Sequence, residues 1–460
     1  MAVVTDSNLD TTVKTGGKRH YLDDARMCME HYKFLIILAL AYAFDQMDLF
    51  TFSFVAPALT KHWGASMEWI GIVNSCTFVG MLFGCWFGGW LSDVIGRRKA
   101  FLFSVFFFSV FSILNGVAPT PAIFLVFRTL TGFGILSMVV VAMVYITEIL
   151  PAASRGKWQA ISLATGLLSV PLIGQIAEKI VPSSPNGWRY IFFIGGTGFI
   201  IFILALSWLK ESPRWLIAKG RYSEAEKVIQ RFIKDEKVDI NNEASINPDN
   251  TTPKEAGTIE TLKEIFSRKY ARKTSVLVIM VCCITVGYFM FFGWMPTLLN
   301  DYGFSLDDAL WMSALVSFGS PIGNYLAAAF TDKGGRKIPI VIYSLLVGVL
   351  TIVFGTLKIP MVIVGIGFFI RVLMDGVFVV MWSYLAEAYP THIRTSGTGF
   401  IYSTGRLLTA VAMVVVPMIY KGFGYTVLFG IIGVMFLLVA VTTGLWGEKT
   451  AGRSLDELEA

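Results

Sequence analysis

Gly89-Trp-Leu-Ser-Asp93-Val-Ile-Gly96-Arg97-Arg98-Lys99 closes one long apolar run and opens the next. A carboxylate, a glycine and three cations in so short a polar stretch, between two runs of bilayer-spanning length, describe a tight loop at a membrane surface. The stretch returns in weaker form as Asp332-Lys-Gly-Gly335-Arg336-Lys337. Asp93 and Asp332 are 239 residues apart, and the same offset relates Gly96 to Gly335, Arg97 to Arg336, Glu148 to Glu387, Arg155 to Arg394 and Pro57 to Pro296. Glu148-Ile-Leu-Pro-x-x-x-Arg155 likewise recurs as Glu387-Ala-Tyr-Pro-x-x-x-Arg394. One register held over charged, glycine and proline positions reads as an internal duplication into two parallel-related halves.

Composition agrees. The 460 residues are 55% hydrophobic and 15% charged, with a mean hydropathy of +0.65, whereas a soluble domain carries about 25% charged residues. Hydropathy places spans at 33–59, 68–92, 99–118, 121–146, 158–181 and 189–209, then at 273–299, 308–331, 338–357, 360–384, 396–420 and 424–446. The expected fold is an all-α membrane protein, with twelve transmembrane helices in two pseudo-symmetric six-helix bundles. Its parts are a polar segment (1–32), an N-terminal bundle (33–209), a linker (210–272), a C-terminal bundle (273–446) and a tail (447–460).

The loops after spans two, four and eight hold Arg97, Arg98, Lys99, Arg155, Lys157, Lys333, Arg336 and Lys337, whereas the connections after spans three and seven hold no Lys or Arg. The positive-inside rule then puts both termini in the cytoplasm. The polar start has no apolar signal-peptide core, so the first span is expected to direct insertion. Within the linker, Pro213 to Ile233 has helical periodicity, and the Asn-, Pro- and Thr-rich middle reads as loop. The net charge of +6 is confined to a few loops, which suits contact with membrane lipid and not with nucleic acid.

Gly89-x-x-x-Asp93-x-x-Gly96-Arg97-Arg98-Lys99 resembles the loop signature of the major facilitator superfamily, with Val94 where a basic residue is common and Ala328 at the leading glycine of the second copy. Arg128-x-x-x-Gly132-x-Gly134, Tyr145-x-x-Glu148-x-x-Pro-x-x-x-Arg155-Gly156, Glu211-Ser-Pro-Arg214-Trp and Gly452-Arg-Ser-Leu-Asp-Glu resemble the sugar-porter and organic-ion branch. The resemblance implies the major facilitator fold and alternating access, normally in a monomer. It also implies that Gly89, Asp93, Gly96, Arg97, Glu148 and Arg155, with Asp332, Arg336, Glu387 and Arg394, form the gating latch. Gly89 would let span two approach a neighbour closely, Asp93 would accept from a second-half helix N-terminus, and Glu148 with Arg155 and Glu387 with Arg394 would form charged clusters.

Six ionisable side chains fall inside spans: Asp45, Asp48, Arg128, Arg371, Asp375 and Arg406. Charge at that depth costs several kcal/mol on most estimates and marks function by default. Asp45 and Asp48 share a helix face. Phe44-Asp45-Gln-Met-Asp48 before Ala56-Pro57 resembles span one of aromatic-acid:proton symporters, where a span-one carboxylate faces a span-four arginine. The implied reading is that Asp48, assisted by Asp45 and tuned by Arg128, carries the coupling proton; a static bridge between Asp48 and Arg128 is the alternative. Arg371 and Asp375, one turn apart, are read as neutralising each other. Arg406 either meets a substrate carboxylate or pairs with Asp375 or a backbone carbonyl.

Candidate substrate-pocket residues are Tyr288, Trp294, Trp382, Tyr402, Arg406, Gln175 and Asn324, with Asn74 beside them. Trp382 stands five residues before Glu387, as the substrate-facing tryptophan does in sugar porters. Span seven, Thr285-Val-Gly-Tyr288-Phe-Met-Phe-Phe-Gly-Trp294-Met-Pro296, carries aromatics where sugar porters carry glutamines and an asparagine. The expectation is proton-coupled uptake of a small, preferably aromatic, carboxylate across a bacterial inner membrane, with no cofactor beyond the proton. An organic cation or a sugar are the alternative substrates, and a receptor with a transporter fold is the alternative class. Four histidines outside the spans and five cysteines without ligand spacing give no metal site or enzyme chemistry.

Overall fold

The computed structural model describes residues 22, 25–151, 154–233, 264–389 and 391–448, and these are helical almost throughout. Helices α1 (Met29–Trp63), α2 (Met67–Ile95), α3 (Arg97–Val117) and α4 (Pro121–Ile149) supply the first four spans. The fifth is α5 (Arg155–Leu167) and α6 (Ser169–Ile180), and the sixth is α7 (Gly187–Gly196) and α8 (Phe199–Trp208). Two short helices follow, α9 (Pro213–Ala218) and α10 (Tyr222–Phe232), where the linker periodicity placed them. The second half runs α11 (Ala271–Tyr302), α12 (Leu306–Ser317), α13 (Gly319–Gly334), α14 (Lys337–Phe354), α15 (Pro360–Glu387) and α16 (Thr391–Trp446).

Three spans differ from the expected continuous helices: the sixth is interrupted at Thr197-Gly198, and the fifth and eighth share one reason. Pro171 has no N–H for the carbonyl of Leu167, where α5 ends, and Pro321 has none for Ser317, where α12 ends. α16 holds spans eleven and twelve, broken at Gly424, whose φ of 83° is a left-handed turn that a side chain would oppose. Helix starts follow local chemistry: the hydroxyls of Ser66, Thr120, Ser212 and Ser305 accept from backbone N–H groups one turn ahead, and Pro121, Pro213 and Pro360 open their helices.

Within the first half, Gly80, Gly84 and Gly88 form a one-sided stripe that seats α2 on the backbone of α4 at Thr129, Phe133 and Ser137. Gly319 and Gly323 do the same for α13 on α15, at Phe368 and Val372. Close backbone approach of this kind is how helices associate where lipid removes the hydrophobic drive. Gly89 does not take part: a Cβ there would meet nothing within 4 Å. The expected role of Gly89 passes to Gly88, one residue earlier.

The halves meet on the face opposite the arginine-rich loops. Gly71 of α2 lies on the backbone of Met413 and on Pro417 of α16, Gly174 of α6 lies on Ala314 of α12, and Lys421 pairs with Glu68 across the halves.

Candidate functional site

Two sites emerge, a charged cluster on the loop face and a polar–aromatic centre between the halves. On the loop face, Arg97 grips Glu148 with two nitrogens, Nε at 3.0 Å from Oε2 and Nη2 at 2.9 Å from Oε1, and holds Asp93 Oδ1 at 2.7 Å with Nη1. The expected partner of Glu148, Arg155, donates instead to the Leu150 carbonyl at 3.4 Å. Asp93 is bonded within its own half and exposed, not seated on a second-half helix.

The carboxylate at a helix N-terminus is Glu211, whose Oε1 accepts from the backbone N–H of Arg98 at 3.0 Å and of Ser212 at 2.9 Å. Gly96 is required beside it, because its φ of 99° is left-handed and a Cβ would collide with that carboxylate. Trp215 Nε1 donates to the Asp93 carbonyl at 3.0 Å, and Tyr145 donates to the Lys210 carbonyl. The linker thus clamps the first-half loop through Glu211 and Trp215. The motif Glu211-Ser-Pro-Arg214-Trp was visible in the sequence, but its target, more than a hundred residues upstream, was not. The side chains of Asp332, Glu387 and Arg394 lie outside the described residues; of the four second-half latch residues Arg336 is described, and it is half-buried.

In the centre, Asp48 and Arg128 are 0% and 1% exposed and joined at 2.5 Å. Arg128 Nη2 also donates to the Asp48 carbonyl at 2.7 Å, and Ser112 donates to the other carboxylate oxygen at 2.8 Å. The rings of Phe52 and Phe192 lie 5.8 Å from the guanidinium carbon. Ion pair, hydrogen bonds and aromatic faces together are what a buried pair needs to offset its desolvation.

The second pair is Arg371 and Asp375, with Nε 2.7 Å from Oδ2. Tyr288 donates to the other carboxylate oxygen at 3.2 Å. The Arg371 guanidinium lies 4.1 Å from the ring of Phe292, 5.0 Å from Tyr288 and 5.1 Å from Phe50, and its Nη2 is buried without a hydrogen-bond partner. Mutual neutralisation is what the spacing predicted, but Tyr288 and the crossing to Phe50 in the first half were not.

Arg406 donates Nε to Tyr402 at 2.8 Å, and its guanidinium faces the rings of Tyr402, Phe289 and Phe78 at 5.1, 5.4 and 5.8 Å. Its Nη1 is buried with no hydrogen-bond partner among the described residues. It pairs with neither Asp375 nor a backbone carbonyl, the two alternatives open from sequence. Phe78 and Phe289 stack edge-to-face across the halves at 4.8 Å, and Trp382 packs on Tyr402 at 4.8 Å. A small cavity, large enough for ordered water, opens beside Phe50, Phe78, Phe289, Asn74 and Arg128.

The other expected pocket residues divide. Asn324 donates to the Ser320 carbonyl at 2.9 Å and belongs to the Asp375 surroundings. Trp294 is wholly buried, and the amide nitrogen of Gln175 is buried without a partner. Phe50, Phe78 and Phe289 were missed; with 37 phenylalanines in the chain, composition singles out none of them.

Two six-helix halves packed around a central polar–aromatic site define a membrane carrier of the major facilitator fold. Residues 26–460 match the family model described as sugar (and other) transporter, and the chain belongs to that family. YyaJ of Bacillus subtilis, named for metabolite transport, is 32% identical over 441 residues, covering 94% of this chain and 96% of that one. NiaP of Acinetobacter baylyi, a niacin transporter by its name, is 26% identical over 430 residues, covering 93% and 96%. The xylose transporter XylE from E. coli, in a partially occluded inward-open structure, shares the fold with a TM-score of 0.74 at 20% identity, covering 92% of this chain and 99% of that one. The protein is a multi-pass membrane transporter and not an enzyme.

Proposed function

We propose that the chain carries a small aromatic monocarboxylate inward, driven by protons, across a bacterial inner membrane with both termini in the cytoplasm. One observation carries this reading: Arg406, at the centre of the halves, has a buried guanidinium nitrogen with no partner and aromatic rings on three sides. An unmet buried donor costs about 1–3 kcal/mol, more when charged, and a carboxylate would restore the bond. The planar fork of arginine matches a carboxylate in two-point fashion, and the rings of Phe78, Phe289, Tyr402 and Trp382 suit a flat ring on the same solute. Arg371, whose charge Asp375 offsets, brings the rings of Phe50, Tyr288 and Phe292 to the same centre.

A hexose needs many hydrogen-bonding partners, which this aromatic wall does not provide. Niacin, the substrate in the name of one relative, is a solute of the proposed class. Proteoliposomes under an inward proton gradient, offered labelled aromatic carboxylates, aliphatic acids, organic cations and hexoses, test the reading. Aromatic carboxylates should accumulate, and a protonophore should abolish the accumulation. Uptake of cations or hexoses in their place overturns the substrate class.

A further inference from the structure

The six mid-span charges sum to zero, three carboxylates against three arginines, but they are not equally paired. Asp48 is closed on Arg128 at 2.5 Å and Asp375 on Arg371 at 2.7 Å, and all four side chains are buried. Among the described residues, Asp45 forms no hydrogen bond or ion pair and Arg406 bonds only the Tyr402 hydroxyl. Both members of this third set are only partly buried, whereas the closed pairs are sealed. Asp45 stands on α1 of the first half and Arg406 on α16 of the second. The charged and titratable groups bearing on Asp45 are Asp48 and Tyr42 of its own helix and Arg406 from across the halves; Cys85 of α2 faces Arg406.

An empty centre with Asp45 ionised is therefore neutral. Placing a monoanion on Arg406 leaves one uncompensated negative charge in a water-poor interior, which costs several kcal/mol. One proton removes that cost. The proton goes where no cation is already bound tightly: opening Asp48 from Arg128 would strand a sealed arginine, whereas Asp45 has no bond to break.

We propose that Asp45 and Arg406 form the exchange unit of the carrier, one proton on Asp45 for each substrate carboxylate on Arg406, so that transport of a monoanion is electroneutral. Asp48 and Arg128 are then the fixed strut of the first half and not the proton carrier. In each cycle Asp45 takes one proton from the medium on the opposite face and becomes the neutral acid, and the substrate enters as its carboxylate. The halves rock, and both leave on the loop face. No bond to the substrate forms or breaks, and no net charge crosses. This rests on the carboxylate reading above.

The test uses the full chain in proteoliposomes with labelled nicotinate or benzoate as probe. With one proton per solute, a gradient of one pH unit supports about tenfold accumulation. In the wild-type protein, a valinomycin-set potassium potential of either sign, at equal pH, should drive no accumulation. Asp45→Asn should bring the proton-driven accumulation ratio down to about one and flatten the pH profile of counterflow. Potential-driven accumulation by the wild-type chain overturns the electroneutral ratio, and that measurement needs no variant to fold. Accumulation by Asp45→Asn at the wild-type level overturns the role of Asp45. Failure of the wild type to take up any carboxylate overturns the underlying substrate reading and this inference with it.

Discussion

Asp48 and Arg128 are where residue-scale energetics are largest. Removing one partner of a sealed ion pair leaves the other charged and desolvated, a loss of about 3–5 kcal/mol. Asp48→Asn should therefore lower thermal stability in detergent sharply, and Asp48→Asn with Arg128→Gln should recover much of the loss, because no bare charge then remains. Equal unfolding midpoints for wild type and single variant would contradict the strut. At Arg406 the expectation concerns affinity. Arg406→Lys keeps the charge but loses the planar fork and the ring stacking, so probe binding should weaken by about tenfold, or 1.4 kcal/mol, with Arg406→Ala weaker still. All six mid-span charges were legible from their depth in apolar runs. Spacing gave a partner only within a helix turn, as for Arg371 and Asp375, whereas the family resemblance gave Arg128 for Asp48. Arg97 with Glu148 and Arg128 with Asp48 are joined by helix packing, which no local spacing reports.

At the scale of elements, the first-half loop is a helix start held from outside. α3 begins at Arg97 with no capping side chain of its own, because Gly96 precedes it, and Glu211 supplies the missing acceptor from the linker. Favourable interaction of that carboxylate with the helix N-terminus adds to the hydrogen bond. Glu211→Ala should cost about 0.5–2 kcal/mol, the range for losing a helix cap, read as a lower unfolding midpoint. Glu211→Gln should cost less, since the amide oxygen still accepts from the Arg98 N–H. Similar losses for the two variants would show that the packing of the side chain, and not its acceptor, matters. Twelve spans were legible because each is a long apolar run. The breaks in the fifth and eighth were written in Pro171 and Pro321, one turn past the carbonyls they leave unbonded; hydropathy averages over a single proline and reads straight through. The loop signature placed Gly89 at the close helix contact, whereas the packed stripe is Gly80, Gly84 and Gly88, spaced by four and so aligned on one face.

For the whole molecule, the two halves and their offset of 239 residues followed from repeat positions, but which face is shut depends on contacts between halves that share no motif. Lys421, where span eleven ends within α16, and Glu68, in the first turn of α2, pair across the halves on the shut face while half-exposed. Exposed pairs hold little energy and weaken with salt, which suits a contact that must open every cycle. Reversing one charge, Glu68→Lys or Lys421→Glu, turns attraction into repulsion and should shift the carrier toward opening on that face. The readout is Ser53→Cys beside the central cavity, in a chain stripped of its five native cysteines, labelled with an impermeant maleimide from the shut face. Each single reversal should speed labelling, the double exchange Glu68→Lys with Lys421→Glu should slow it again, and high salt should erase the difference. Labelling unaffected by either reversal would assign closure to the apolar seams instead, where Gly71 meets Met413 and Gly174 meets Ala314. Gly71→Leu, which wedges the first of those seams open, would then be the change that speeds labelling.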